Sequence, residues 1–416
     1  MAIPAGDDET ATVVPLHDPA MMARQVLNTR LPADLPASGA WVPGDPIGGR
    51  RFLALPAERG FALEFGGVLH GVELAYETWG ALNEQADNAV LVCHALTGDA
   101  HAAGVADHGH GAVGWWDDFI GPGRAIDTDR YFVVCVNVLG GCQGTTGPAS
   151  IDPATGRSYG SAFPVISVRD VVRSQRRIAD HLGIERWHSV VGGSMGGMQS
   201  LEWAIMYPDR VRTVVALASN TAASPQQVAW SAVGRLAIVL DPRWRGGDYY
   251  DAPLGEGPAA GLAVARQIAQ ITYRTDEVFQ DRFGRATVDR ISDFDLWGRF
   301  DVESYLDHHG QKLVRRFDAN SYLVLNRLMD LHDVARGRGG LDLALERITA
   351  PVLVASISSD ALYPPRQQRE LVEALAHQRC RHQYHVIDSP EGHDGFLLEH
   401  AALSPIIAEF LDKEDQ

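Results

Sequence analysis

Apolar runs alternate with amphipathic stretches along this chain, in a pattern that predicts a mostly parallel sheet. Continuous apolar runs, which are typical of strands covered on both faces, lie at 89–93 and 131–136, and shorter or interrupted strand runs lie at 187–191, 211–217 and 351–357. A further strand is predicted at 383–387. Between two of these runs, residues 168–182 have one apolar stripe, with Ser167 and Asp170 placed to cap the helix and Gly183 to end it. Strands alternating with helices predict an α/β fold with helices on both faces of the sheet.

The same pattern divides the chain into four parts. Strand runs disappear from about 222 to 345, where helical stretches are predicted at 226–239, 261–273 and 321–334. We interpret residues 222–345 as a helical lid inserted between two parts of one core, 51–221 and 346–416. Within the first part, strands are predicted at 61–65 and 72–78, joined by a turn that contains glycine. Residues 1–50 contain much Pro, Ala, Asp and Gly, and we expect a flexible extension or a surface arm.

The most informative motif lies directly after the predicted strand 187–191. Gly192-Gly193-Ser194-Met195-Gly196 matches Gly-x-Ser-x-Gly, which places a serine on a sharp turn between a strand and a helix. The glycines remove the Cβ atoms that would collide in such a turn. The pentapeptide alone is weak evidence, but helix formers follow it until Pro208, so the predicted context is strand, turn and helix. We therefore predict Ser194 to be a nucleophile.

Two later residues complete a candidate catalytic triad. A serine hydroxyl needs a base to activate it, and the base needs a carboxylate to orient it. Asp360 follows the predicted strand 351–357, and His393 follows the strand 383–387, in the order Ser, Asp, His that this architecture uses. A turn carboxylate and a helix-capping histidine are the structural alternatives for these two residues.

The oxyanion of an acyl-transfer reaction needs two backbone N–H donors. In this architecture, one donor belongs to the residue after the nucleophile, which is Met195 here. The other comes from the loop after the third strand, residues 93–99, where we predict the donor to be Leu96. The glycine-rich segment 140–147 lacks the ending of a phosphate-binding P-loop, and we expect a structural turn there.

Composition narrows the possible partners and the compartment. The chain has 416 residues, of which 45% are hydrophobic and 21% charged, as in ordinary globular proteins. Its net charge of −17 argues against nucleic acid or an anionic membrane as a partner. No apolar run reaches membrane-spanning length, and the N-terminus does not resemble a secretory signal. Four cysteines without paired spacing fit a reducing cytoplasm, with Cys93 and Cys135 expected in the core.

Four histidines occur close together in the sequence, at positions 94, 101, 108 and 110. They lie in a segment rich in Gly and Ala and lack the regular spacing of zinc ligands. We therefore expect no metal site there.

Several longer segments carry a resemblance to a known family. The chain resembles the homoserine O-acetyltransferases, which are α/β-hydrolase-fold enzymes of methionine biosynthesis. The resemblance spans about residues 60 to 400, and the matching segments are 94–98, 114–117, 120–123, 137–142, 192–199, 317–322 and 392–397. The segments 137–142 and 192–199 are far more specific than Gly-x-Ser-x-Gly alone. Nothing can be carried over to the extension before Phe61.

The resemblance implies a two-step acyl transfer with acetyl-CoA as co-substrate, no permanently bound cofactor and a homodimer. Acetyl-CoA would acylate Ser194, and the γ-hydroxyl of L-homoserine would then take the acetyl group. The substrate-binding arginine and aspartate of the family fall on Arg266 and Asp394. Arginine binds carboxylates through two hydrogen bonds, and an aspartate suits the ammonium group of an amino acid. Tyr273, seven residues after Arg266, should lie on the same face of its helix.

One position bears on the acyl donor. Related enzymes that use succinyl-CoA tend to carry an arginine two residues after the triad aspartate, where this chain has Leu362. Because a leucine cannot neutralise a buried carboxylate, acetyl is favoured over succinyl. Homoserine O-succinyltransferase, serine O-acyltransferase and serine ester hydrolase remain alternatives, since one methylene changes binding by only about 1–3 kcal/mol. A non-catalytic scaffold is a further alternative, although all three triad residues are present.

Overall fold

The computed structural model describes residues 31–288 and 298–413, and its centre is one large sheet. The strands are β1 (Arg51–Ala54), β2 (Phe61–Ala62), β3 (Val68–Leu69), β4 (Glu73–Trp79), β5 (Ala89–Cys93), β6 (Ile120–Gly121), β7 (Ile126–Asp127), β8 (Phe132–Val136), β9 (Trp187–Gly193), β10 (Val211–Leu217), β11 (Val352–Ile357) and β12 (His382–Ile387). Eight of them form the sheet in the order β1-β4-β8-β5-β9-β10-β11-β12. From β8 to β12 all neighbours are parallel, whereas β1 and β4 join antiparallel.

The central strands are buried on both faces, as their apolar runs predict. All residues of β5 and β8 are buried, including Cys93 and Cys135. Along β5, Leu91 packs into the apolar cluster on one face of the sheet, whereas Val90 and Val92 pack into the cluster on the other. This alternation follows from the two-residue period of a strand. The predicted α/β-hydrolase-type sheet is confirmed.

The strands predicted at 61–65 and 72–78 are not joined by a single turn, because a further short strand lies between them. Strand β2 pairs with β3, with Phe61 opposite Leu69, and not with β4. Strand β4 instead joins the large sheet between β1 and β8, where its central residues Leu74–Tyr76 are buried. Strand β4 has seven residues, so it buries more apolar surface between β1 and β8 than it would by pairing with the two-residue strand β2.

Helices cover the sheet and form the insertion. They are α1 (Val168–Leu182), α2 (Met195–Met206), α3 (Pro225–Val239), α4 (Ala259–Tyr273), α5 (Asp276–Phe283), α6 (Asp301–Val314), α7 (Ala319–Asp330), α8 (Leu341–Leu345), α9 (Pro365–His377), α10 (Gly395–Leu398) and α11 (His400–Lys413). The ends of α1 are as predicted: Ser167 and Asp170 form a capping box, and Gly183 follows the helix with φ 74°. No helix within 31–288 and 298–413 has the length and apolar character to cross a bilayer.

The described elements between β10 and β11 are helices. Helix α4 packs against α3 and α6, and α7 packs against α3. In sequence, these helices lie between β10 and β11, which are parallel neighbours in the large sheet. They therefore begin at the carboxyl end of β10. Ligands bind at the carboxyl ends of strands in open α/β sheets, which places the inserted helices where a lid is needed.

Residues 31–50 differ from the flexible extension predicted for 1–50. Leu35 is buried in the core, the Ser38 hydroxyl donates to Asp318 Oδ1 at 2.8 Å, and the Trp41 N–H donates to the Cys142 carbonyl at 2.9 Å. For this part, the alternative of a surface arm is the better description, because the arm exchanges side-chain and backbone hydrogen bonds with the body of the protein. Residues 1–30 lie outside the described residues.

Candidate active site

The candidate nucleophile lies at a strained turn between β9 and α2. Ser194 has φ 57° and ψ −125°, and its N–H donates to the Leu217 carbonyl at 2.9 Å. A Cβ on Gly192 would lie 2.4 Å from the carbonyl carbon of Gly196, and one on Gly196 would lie 2.1 Å from the Cys93 carbonyl oxygen. Neither position tolerates a side chain, so the local sequence dictates the turn that raises Ser194 above the sheet.

Three side chains from distant parts of the chain meet at this turn. His393 Nε2 lies 2.9 Å from Ser194 Oγ, and His393 Nδ1 lies 2.7 Å from Asp360 Oδ2. The other carboxylate oxygen of Asp360 accepts hydrogen bonds from the N–H groups of Leu362 and Tyr363, at 2.9 and 2.8 Å. Asp360 therefore favours the tautomer of His393 that carries its proton on Nδ1, which leaves Nε2 able to accept the proton of Ser194.

Aromatic rings surround the imidazole of His393. The Tyr363 ring stacks on it with centroids 4.9 Å apart, and the rings of Phe396 and Tyr273 lie at 5.4 and 5.8 Å. Removal from water raises the pKa of both tyrosines, so their phenols stay protonated at neutral pH. Ser194, Asp360 and His393 are all buried. The surroundings strengthen electrostatic interactions within the triad because water is scarce there.

The predicted oxyanion donors are the N–H groups of Leu96 and Met195, and the side chain of Gln199 joins the two segments that carry them. In the described part of the chain, the N–H groups of Leu96 and Met195 bind no backbone carbonyl, so both are free to bind a substrate oxygen. The amide of Gln199 donates to the carbonyls of His94 and Met195, both at 3.1 Å. Gln199 therefore holds the loop of Leu96 against the start of α2.

The buried side chains of Gln175 and Trp203 orient Gln199. Gln175 donates to Gln199 Oε1 at 2.7 Å and accepts from Trp203 Nε1 at 2.7 Å. His94 accepts from the Val138 N–H at 3.0 Å and lies 2.8 Å from the Ala95 carbonyl, so it serves to hold the loop. Sequence reasoning missed this network, because no motif marks glutamines that meet only after folding.

Arg266 and Tyr273 face the site from α4, as their spacing predicts. The Arg266 guanidinium lies over the Tyr273 ring, 5.3 Å from its centroid, and 3.5 Å from Thr97 Oγ1 in the loop that contains Leu96. A pocket opens beside Tyr273. Its wall includes Leu96, Tyr273, Leu362 and Tyr363, together with residues of α3 and α7.

Asp394 has a partner that sequence reasoning missed. Its Oδ2 lies 3.2 Å from Nε of Arg274, the residue that directly follows α4. Arg274 also pairs with Glu391, so it bonds on both sides of His393. In the sequence, only the position of Arg274 directly after Tyr273 indicates that it could lie near the site.

Comparison with known proteins places this geometry in a family. A family model of the alpha/beta hydrolase fold matches residues 88–400. A homoserine O-acetyltransferase of Thermobifida fusca (strain YX) is 55% identical over 377 residues, which are 91% of this chain and 97% of that protein. The chain belongs to the homoserine O-acetyltransferase family. The resemblance found in the sequence is thereby confirmed, and the protein is an enzyme of this acyltransferase class.

Solved structures place the homoserine O-acetyltransferase family beside esterases. The homoserine O-acetyltransferase from Bacillus anthracis superposes with a TM-score of 0.80 at 31% identity, covering 87% of this chain and 97% of that one. Esterase E22 superposes with a TM-score of 0.80 at 29% identity, covering 87% and 99%. The fold alone therefore does not choose between an alcohol and water as acyl acceptor.

Proposed function

We propose that this protein transfers an acetyl group from acetyl-CoA to the γ-hydroxyl of L-homoserine, as a step of methionine biosynthesis in the cytoplasm. The observation that carries the proposal is the hydrogen-bonded chain from Asp360 through His393 to Ser194, buried beside a pocket walled by lid helices. Family membership supports the choice of substrates. Acetyl-CoA acts as a co-substrate that leaves as CoA in each cycle.

The first half-reaction acylates Ser194. As its Oγ attacks the thioester carbonyl carbon, His393 Nε2 accepts the hydroxyl proton. The C–S bond then breaks, and the proton passes to the departing CoA sulfur. The N–H groups of Leu96 and Met195 are proposed to bind the oxyanion of the tetrahedral intermediate, where losing one donor typically costs about 10²–10³-fold in rate.

The second half-reaction runs through the same groups. The γ-hydroxyl of homoserine gives its proton to His393 and attacks the carbonyl carbon of acetyl-Ser194. The bond to Ser194 Oγ breaks, and His393 returns the proton to that oxygen. O-acetylhomoserine leaves, and the free enzyme is restored.

Arg266 is proposed to bind the carboxylate of homoserine. Its guanidinium forms no ion pair with any carboxylate within residues 31–288 and 298–413, and it lies beside the loop of Leu96. Asp394 is proposed to bind the ammonium group. Since Arg274 occupies Oδ2 of Asp394, the other carboxylate oxygen would serve the substrate.

The pocket supports acetyl as the acyl group. Leu362 lies in its wall, where an arginine would be needed to pair with a succinyl carboxylate. Among the described residues that line the pocket there is no lysine or arginine. A second carboxylate would therefore enter without a cation, which is unfavourable in a buried site.

Two measurements test the proposal. Acetyl-CoA without acceptor should add one acetyl group to Ser194, detected by mass spectrometry of the intact chain and its peptides. Steady-state kinetics should then compare acetyl-CoA and succinyl-CoA, each with homoserine, serine and water as acceptor. Fast turnover with water, unchanged by homoserine, would identify an esterase instead.

A homodimer through the lid is part of the proposal. Val233, Leu236 and Leu240, at spacings of three and four residues along α3 and its end, are 55%, 53% and 70% exposed. Ile271 of α4 is also half exposed. Such apolar patches mark interfaces, and the acyl pocket lies on the other side of these helices. Light scattering should give twice the chain mass of 45.2 kDa, and Leu240→Asp should shift it to the monomer.

A further inference from the structure

A buried cluster of one glutamate and two histidines lies outside the active site. Glu77 is in β4, and His101 and His110 are in the segment between β5 and β6. His101 Nδ1 lies 3.0 Å from Glu77 Oε2, and His110 Nε2 lies 2.6 Å from Glu77 Oε1. The two imidazoles stack with centroids 3.9 Å apart. All three side chains are buried, with exposed fractions of 3%, 8% and 6%.

Hydrogen bonds within the cluster leave several of its atoms without a partner. Only the contact from His101 Nδ1 to Glu77 has the alignment of a hydrogen bond. Glu77 Oε1, His110 Nε2 and His101 Nε2 are buried without a hydrogen-bond partner, although the first two lie 2.6 Å apart. Buried polar atoms are nearly always satisfied, so the partnerless Nε2 of His101 and the poorly aligned contact of His110 with Glu77 need an explanation.

We propose that Glu77, His101 and His110 bind one divalent transition-metal ion of the zinc class. Two imidazoles and a carboxylate are a common ligand set for such ions, with bonds of about 2.0–2.2 Å. One ligand atom from each residue lies within 4.8 Å of the other two. The two histidine nitrogens contact different oxygens of the carboxylate, at 3.0 and 2.6 Å, so they must move apart slightly to reach the roughly 3.3 Å between ligands of a tetrahedral ion. Because imidazole lone pairs lie in the ring plane, the stacked rings must rotate when the ion binds.

Glycine backbone packs directly against the cluster. Gly48 and Gly49 cover the cluster, and a Cβ on either would lie within 2.9 Å of the His110 ring or of Glu77 Oε2. The neighbouring Arg50 donates to the carbonyls of Ile47 and Gly109 and to Gln143, rather than to Glu77. The carboxylate is therefore not neutralised by a direct arginine contact within the described residues.

The ion would hold the segment after β5 against β4. The His101 N–H donates to Asp99 Oδ1 at 2.9 Å, and Asp99 pairs with Arg316, which donates to the Thr97 carbonyl at 2.6 Å. These bonds join the cluster to the loop of Leu96. The role is structural, since no cluster residue lies among those that contact the triad. The sequence alone predicts no metal site here, because the histidines lack the regular spacing of zinc ligands. That prediction does not consider Glu77, which is 24 residues before His101.

Metal titration of the full-length protein tests the proposal. After chelator treatment, the protein should bind one equivalent of Zn²⁺ by calorimetry with micromolar or tighter affinity. X-ray absorption of the zinc-loaded protein should detect two imidazole rings on the ion. Glu77→Gln and His110→Gln should each lose more than the roughly 10–100-fold in affinity that removal of an outer-shell partner costs.

His108→Gln provides the matched control, since His108 is exposed two residues before His110. This variant should keep wild-type affinity. Absence of zinc binding by the wild-type protein, a spectrum with fewer than two imidazoles, or equal loss in His108→Gln would overturn the proposal. The first two readouts use the unaltered chain, so they decide the matter even if the cluster variants fail to fold.

Discussion

The two sides of the active site differ in how their residues are held. On the sheet side, Ser194, Asp360 and His393 follow the carboxyl ends of β9, β11 and β12, in turns with many backbone hydrogen bonds. On the lid side, Arg266 lies on a helix face and contacts the opposite wall through one long hydrogen bond of 3.5 Å. The comparison fits the proposed division of roles, in which the core supplies the chemistry and Arg266 of the lid binds the carboxylate of the acceptor.

The two sides also meet at the turn that carries His393. Gly392 has φ 67°, and a Cβ there would lie 2.6 Å from the carbonyl oxygen of Tyr273, at the end of α4. Arg274 adds ion pairs to Glu391 and Asp394. This junction is one of the lid contacts close to the catalytic base, along with the Tyr273 ring and the bond from Gln227 to the Leu362 carbonyl. Substitutions of lid residues outside these contacts should have effects separable from those of the triad.

Removing the nucleophile should have the largest effect. Ser194→Ala should lower kcat by about 10⁶-fold, because both half-reactions pass through the seryl ester. Mass spectrometry should find no acetyl adduct, while the melting temperature stays near that of the wild type. An adduct in this variant would show that another residue is acylated.

Asp360→Asn should follow, with kcat lower by about 10⁴-fold. The asparagine oxygen can still accept from Leu362 and Tyr363, which turns its NH₂ group toward His393 Nδ1 and favours the wrong tautomer. Stopped-flow measurement of CoA release should show slow acylation. Acylation as fast as in the wild type would show that Asp360 is not needed for His393 to act as the base.

Arg266→Ala should separate the two sides of the site. Loss of a charged hydrogen-bond pair should raise the KM for homoserine by about 10- to 100-fold. Acylation by acetyl-CoA should stay within about twofold of the wild type, a difference below about 0.5 kcal/mol. Equal losses in both half-reactions would contradict the division between core and lid. Arg282→Ala, on α5, is a control for removing a lid arginine.

Arg274→Gln should give the smallest loss of rate among these variants. The loss should be similar in the two half-reactions, because Arg274 holds the turn that carries His393. We expect about a tenfold lower kcat, less than the 10²-fold that a 1 Å misplacement can cost. Arg274→Lys should recover part of it by restoring an ion pair. A change confined to the KM for homoserine would show that Arg274 acts on the substrate, through Asp394, rather than on His393.

Much of the fold was predictable because its signals are local. The apolar runs, the capping box at Ser167 and the glycines around Ser194 each reflect constraints within a few residues. The packing of residues 31–50 was not predictable in this way, since it depends on partners far along the chain. The pairing of β2 with β3 is local, but two residues per strand are too short to show an alternating pattern.

The sequence by itself determined the strand–turn–helix around Ser194, the order of Ser194, Asp360 and His393, and the family. Steric exclusion at glycines and the periodicity of buried strands act locally, so they can be read without coordinates. Only the tertiary structure decided that Arg274 binds Asp394, that Gln199 joins the Leu96 loop to α2, and that Glu77 meets His101 and His110. Such contacts depend on distances of a few ångströms between segments far apart in the chain, which residue spacing does not encode.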